Sequence, residues 1–205
     1  MWGDYEGGGG KRQTYDTFPN LKNHRIIIAL TFGRISGADV FSIELVRQLQ
    51  DQGLSAEIVC TAWHERAPDP LKLPTDISIQ NLPVPVHATW QTRWETMTRY
   101  LEERAPCICL PNYDWRHSCI SPTLSGHVKI VGIAHSDDPQ HYEHVGRLGH
   151  YWDGIVGVNR KISEHIAELE PSLIERLYTV PYGVHVPSEL SQEKRAAARA
   201  FSTRA

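Results

Sequence analysis

Ile26, Ile27, Ile28, Ala29 and Leu30 form an unbroken run of apolar side chains. Successive residues of a strand point to opposite faces, so a strand with one wet face alternates apolar and polar residues. This run does not alternate. It must be covered on both faces, the condition of a strand inside a parallel sheet that carries helices on either side. The next segment fits that demand. Val40, Ile43, Val46 and Leu49, with Phe41 and Leu45 beside them, make a helical apolar stripe. Asp39 is placed to cap its start and Gly53 to close its end. "LSAEIVCTAW" then returns to strand. Strand, helix, strand is the unit of a parallel sheet.

The alternation continues. "ISIQNLPV" predicts a short strand limited by proline, suited to a sheet edge. Thr89 caps a predicted helix whose Trp90, Trp94, Met97 and Leu101 form a stripe expected in the core. "CICLPNYD" and "HVKIVGIAHS" predict strands, with a short irregular piece, "SCISPTLSG", between them. A helix weakened by Gly146 and Gly149, the strand "GIVGVN", a helix striped by Ile162, Ile166, Leu169 and Leu173, and the extended "YTVPYGVHVP" complete the pattern. About six or seven strands alternating with helices predict an α/β fold, a doubly wound, mostly parallel, Rossmann-like sheet. Residues 1–23 read as a flexible leader containing Gly7 to Gly10, residues 24–187 as one domain, and residues 188–205 as a linker or the beginning of a further unit.

Composition narrows the function classes. The net charge of -3 gives no electrostatic footprint for nucleic acid. No run of about 18 apolar residues is present, and the N-terminus lacks the apolar centre of a secretion signal, so a cytoplasmic protein is expected. Peripheral contact with a membrane surface stays open. Of the four cysteines, Cys60, Cys107 and Cys109 lie in strand-like runs, where a free thiol behaves as a small hydrophobe. The two thiols of Cys107 and Cys109 are expected on opposite faces, and their spacing does not suit a zinc knuckle.

In open α/β sheets ligands bind outside the carboxyl ends of the strands, so those ends define the search. They carry Gly37 and Ala38 in the first loop, then Asn112 and Tyr113, then His135 and Asp137, then Asn159 and Arg160, and last Tyr182 and Gly183. The first loop is not the dinucleotide fingerprint, and no cofactor is expected. Its glycine still lets backbone N–H groups approach a ligand, with a helix N-terminus behind them. His135 follows a buried strand, where its imidazole can hydrogen-bond a sugar hydroxyl or a phosphate, or move a proton. His141 and His144 share a helix face, but the histidine, aspartate and cysteine spacings match no metal motif, and no metal site is expected. Asp137 and Asp138 suit a turn or helix cap before Pro139.

These segments, in this order, resemble the N-terminal domain of group 1 (family 4) glycosyltransferases of the GT-B fold. The resemblance rests on "RIIIALTFGRISGADVFSIELVRQLQDQGLSAEIVCT", "VKIVGIAHSD", "YWDGIVGVNRKISEHI" and "LYTVPYGVHVP", and spans about residues 24–187. It implies two Rossmann-like domains facing a cleft, the first mainly holding a sugar or other hydroxyl acceptor, the second a nucleotide-sugar donor. It implies metal-independent transfer with retained anomeric configuration. Gly37 and Ala38 match the loop that approaches the donor diphosphate, and His135 matches a histidine that approaches the transferred sugar. Three departures stand out: the first loop has a single glycine before Ala38 and Asp39, Tyr182 stands where relatives often carry asparagine, and the donor-binding half is expected beyond residue 205. The fragment alone is therefore expected to be inactive. The alternative is a stand-alone Rossmann-like binding module, or one subunit of a two-chain glycosyltransferase.

Overall fold

The computed structural model describes residues 21–30, 37–60, 74, 76–82, 84–85, 87–112 and 115–182. Seven strands, β1 (Arg25–Leu30), β2 (Ser55–Cys60), β3 (Ile79–Asn81), β4 (Cys107–Leu110), β5 (Val128–Ala134), β6 (Gly154–Gly157) and β7 (Leu177–Thr179), form one sheet in the order β3-β2-β1-β4-β5-β6-β7. Every pairing is parallel. The helices are α1 (Gly37–Asp51), α2 (Trp90–Glu102), the short α3 (Trp115–Ser118), α4 (Pro139–Leu148) and α5 (Arg160–Leu169). The predicted doubly wound, Rossmann-like α/β fold is present, and β3 lies at the sheet edge.

β1 is covered on both faces, as its apolar run requires. Ile26, Ile28 and Leu30 enter the cluster that contains Val46 of α1, together with Ala56 and Ile58 of β2. Ile27 and Ala29 enter the other cluster, with Val59 of β2 and Met97 and Leu101 of α2. Tyr142 and Val145 of α4 and Ile162 and Ile166 of α5 are buried with Trp152 and Ile155 in the first cluster. Asp138 caps α4 by accepting from the Gln140 N–H at 2.8 Å, and Asn159 caps α5 by accepting from the Ile162 N–H at 2.9 Å. Gly53 ends α1 in the left-handed region, at φ 76°, where glycine carries no Cβ penalty.

Several sequence expectations are corrected. α1 starts at Gly37, so Asp39 lies inside its first turn and is buried rather than standing outside as a cap. The side of α1 that turns inward is Asp39, Ser42 and Val46, while Val40 is 53% exposed. Trp90 stays exposed at the start of α2, so only the later part of that stripe reaches the core. Leu169 is exposed too, because α5 ends there and Pro171 turns the chain before Leu173 is buried. Cys107 and Cys109 lie in one core cluster. Residues two apart on a strand share a face, so the opposite-face expectation is wrong. Burial pushes both thiols up, Cys107 to about 11. Residues 21–23 of the predicted leader form a 3-10 turn, while residues 1–20 and 183–205 lie outside the described residues.

Among the described glycines, Gly132 of β5 is closely packed. A Cβ there would stand 2.2 Å from two carbons of the Trp152 ring. Trp152 cannot easily yield, being 1% exposed with its indole N–H donating to Ser121 Oγ at 3.1 Å. Gly132→Ala is therefore expected to destabilise the protein by about 1–3 kcal/mol in urea unfolding. Gly126→Ala, where nothing lies within 4 Å of the added Cβ, is expected to change stability by less than about 0.5 kcal/mol. Equal midpoints for the two variants would refute this packing.

Candidate functional site

The strand order reverses direction between β1 and β4, since the chain winds outward from β1 to β3 on one side and from β4 to β7 on the other. The crevice outside the carboxyl ends at such a reversal is where open α/β sheets take ligands. β4 ends at Leu110, the last of its residues paired with β1 through Ile28. Two residues later Asn112 turns the chain with φ 54°, a left-handed conformation that asparagine tolerates better than most residues. Its side chain is buried, at 3% exposure. The Nδ2 group donates to the Ala29 carbonyl at 3.1 Å and to Ser42 Oγ at 3.4 Å, tying the turn to β1 and α1. Ser42 Oγ in turn donates to the Ala38 carbonyl at 2.7 Å.

His135, immediately after β5, stands against the other end of that amide. Its Nε2 lies 3.0 Å from Asn112 Oδ1, and its Nδ1 is hydrogen-bonded to the Tyr182 hydroxyl. Phe41 of α1 packs edge-on to the imidazole at 5.4 Å between ring centroids and lies 4.9 Å from the Tyr182 ring. The imidazole and the phenol are nearly parallel, 5.8 Å apart. Burial, and secondarily the nearby His141, lower the His135 pKa to about 4. At neutral pH the ring is uncharged, and it works as a hydrogen-bonding group of fixed direction rather than as a cation.

The other strand-end residues separate into those that join this cluster and those that do not. Tyr182 joins it, and Asn112 is its centre. Ala38 and the exposed Gly37 begin α1 beside it, and a Cβ on Gly37 would meet nothing within 4 Å. Asp137 is engaged elsewhere: its carboxylate accepts from the Tyr142 hydroxyl at 2.6 Å and pairs with Lys161 Nζ, linking the post-β5 loop to α4 and α5. Those bonds hold its carboxyl below the usual carboxylate range. Asn159 is occupied as the α5 cap, and the exposed Arg160 pairs with Glu164 at 2.7 Å. Tyr113 and Gly183 lie outside the described residues. His141 and His144 do not converge, since their Nε2 atoms are bonded to Ser136 Oγ at 3.3 Å and Ser118 Oγ at 2.8 Å.

Sequence reasoning missed Phe41 and Ser42 as members of the site. Ser42 left a signal, a polar residue three positions after Asp39 and four before Val46, on the stripe that turns out to be buried. Phe41 left none, because an aromatic beside an apolar stripe reads as core.

No protein-family model and no curated protein matches the chain. Among solved structures, it is similar to a sucrose-phosphate synthase from Thermosynechococcus elongatus, at 11% sequence identity and a TM-score of 0.47. The match covers 88% of this chain and 97% of that one.

The depressed basicity of His135 links it to stability. The unfolded chain takes up a proton near the ordinary value of 6.5, the folded chain only near 4. Between those values the unfolded state holds more protons, so this residue makes stability fall as pH drops through that window. His135→Gln is expected to reduce the fall in urea midpoint between pH 6.5 and pH 4 relative to the unaltered protein. Parallel pH profiles for the two proteins would contradict a neutral, half-buried imidazole.

Proposed function

We propose that this chain is the acceptor-side half of a retaining, metal-independent glycosyltransferase that moves a sugar from a nucleotide-sugar donor to a hydroxyl acceptor. The observation that carries the reading is the position of His135, held by Asn112 at the crevice where the sheet reverses its winding. It stands at the place in the chain where the glycosyltransferase resemblance puts a substrate-facing histidine. An uncharged nitrogen that accepts a hydrogen bond suits the hydroxyl groups that sugars and their acceptors present. The donor diphosphate would approach Gly37 and Ala38 at the start of α1, where the N-terminal end of a helix dipole favours negative charge. Tyr182 would border the same crevice, and Asn159 and Arg160 would lie further along the strand ends. Asp137 would shape the post-β5 loop through Lys161 and Tyr142 rather than contact substrate.

The test compares this chain with a version extended by about 180 further residues of its gene, a typical domain length, on a panel of nucleotide sugars, scoring hydrolysis and transfer. Transfer only by the longer version is expected. If the extension adds nothing, the reading fails and a stand-alone binding module takes its place. Within the active version, His135→Ala is expected to lower turnover by about tenfold to a hundredfold, the value of one or two hydrogen bonds at the transition state, with the protein still folded at pH 7. Near-normal turnover would remove His135 from the mechanism.

A further inference from the structure

We infer that Asn112 is a positioning residue: its side-chain amide fixes which nitrogen of His135 carries the proton, and so leaves Nδ1 to accept a hydrogen bond from a hydroxyl. The inference deepens the proposed site and, for the identity of that hydroxyl, rests on the glycosyltransferase reading. It follows from a chain of donors and acceptors with one allowed direction. The Ala29 carbonyl can only accept, so the amide group facing it at 3.1 Å is the NH2. The amide oxygen is thereby turned toward His135 Nε2, at 3.0 Å. An amide oxygen can only accept, so Nε2 must carry the proton. In a neutral imidazole the other nitrogen is then an acceptor, and the group bonded to Nδ1 must donate. The Tyr182 hydroxyl does so in this structure.

The backbone of β1 therefore dictates what His135 can recognise. Ala29 is fixed in register by pairing with Val59 of β2. Asn112 is locked in place by its bonds to Ala29 and Ser42, with the amide buried. A phosphate or carboxylate, having only acceptors, finds no donor at Nδ1 of this tautomer, whereas a hydroxyl replaces the Tyr182 phenol atom for atom. Tyr182, 39% exposed, holds the position that a substrate hydroxyl would take.

The experiment is a long-range 1H–15N correlation on the 205-residue chain labelled with 15N-histidine at pH 7, with imidazole proton exchange measured alongside. A proton on Nε2 in slow exchange is expected for His135. Asn112→Gly suits the positive φ and removes the amide. It is expected to make exchange of that proton at least about tenfold faster. Asn112→Asp keeps an acceptor opposite Nε2 and is expected to retain the Nε2 proton, which also covers the case in which the glycine variant does not fold. A proton on Nδ1 in the unaltered protein, an unchanged exchange rate in the glycine variant, or loss of the Nε2 proton in the aspartate variant would each overturn the assignment. No substrate is needed, so failure here is distinct from failure of the transfer assay.

Discussion

Coverage of β1 on both faces is the constraint on which the rest of the structure depends. Its side chains alternate between two cores, Ile26, Ile28 and Leu30 in one and Ile27 and Ala29 in the other. A strand in that position needs neighbours on both edges and helices on both faces, since any open side would leave apolar surface or backbone groups in water. β2 and β4 take the edges, with parallel registers that run from Arg25 to Leu30 on one side and from Arg25 to Ile28 on the other. α1 and α2 contribute to the two cores. Right-handed crossovers leaving a central strand in opposite directions then place helices on opposite faces.

The difference between those two registers has a consequence for chemistry. β4 stops pairing two residues before β1 does, and the chain turns at Asn112. Beyond the last β1–β4 pair the Ala29 carbonyl is met by a side-chain amide. The same amide reaches α1 through Ser42 and β5 through His135. One buried residue thus ties three elements together where the winding reverses, and it does so with groups that are directional. Phe41 adds a wall against which both the imidazole and the Tyr182 ring pack. The result is a half-buried imidazole, uncharged at neutral pH and restrained on both nitrogens.

Much of the fold was legible in the sequence because its signals are local. The β1 run, the edge strand limited by proline, the caps at Thr89 and the turn before Pro139, and Gly53 after α1 each depend on neighbours close along the chain. The errors came where tertiary packing decides. Ile43, Val46 and Leu49 of the α1 stripe do meet the core, but Val40 turns outward while Asp39 and Ser42 are buried, Ser42 within hydrogen-bonding distance of the Asn112 amide. Trp90 and Leu169 kept the helical spacing but sit at helix ends that the sheet does not cover. Of the residues that the strand-end rule named, the structure brings Asn112, His135 and Tyr182 together. The bonds of Asp137, Asn159 and Arg160 serve the α4–α5 side of the fold.

By itself the sequence determined the class of fold and the place to look for a site. Hydrophobic period and turn chemistry are properties of short stretches, and a doubly wound sheet follows from their alternation. It also put a histidine at a strand end. Only the tertiary structure decided what that histidine is. Asn112 lies 83 residues from Ala29 and 23 from His135, and Tyr182 lies 47 from His135. No local pattern encodes which of these groups donates and which accepts. That direction exists only once the sheet has brought a carbonyl, an amide, an imidazole and a phenol within hydrogen-bonding distance, because a hydrogen bond, unlike an apolar contact, has a sense that its neighbours must share.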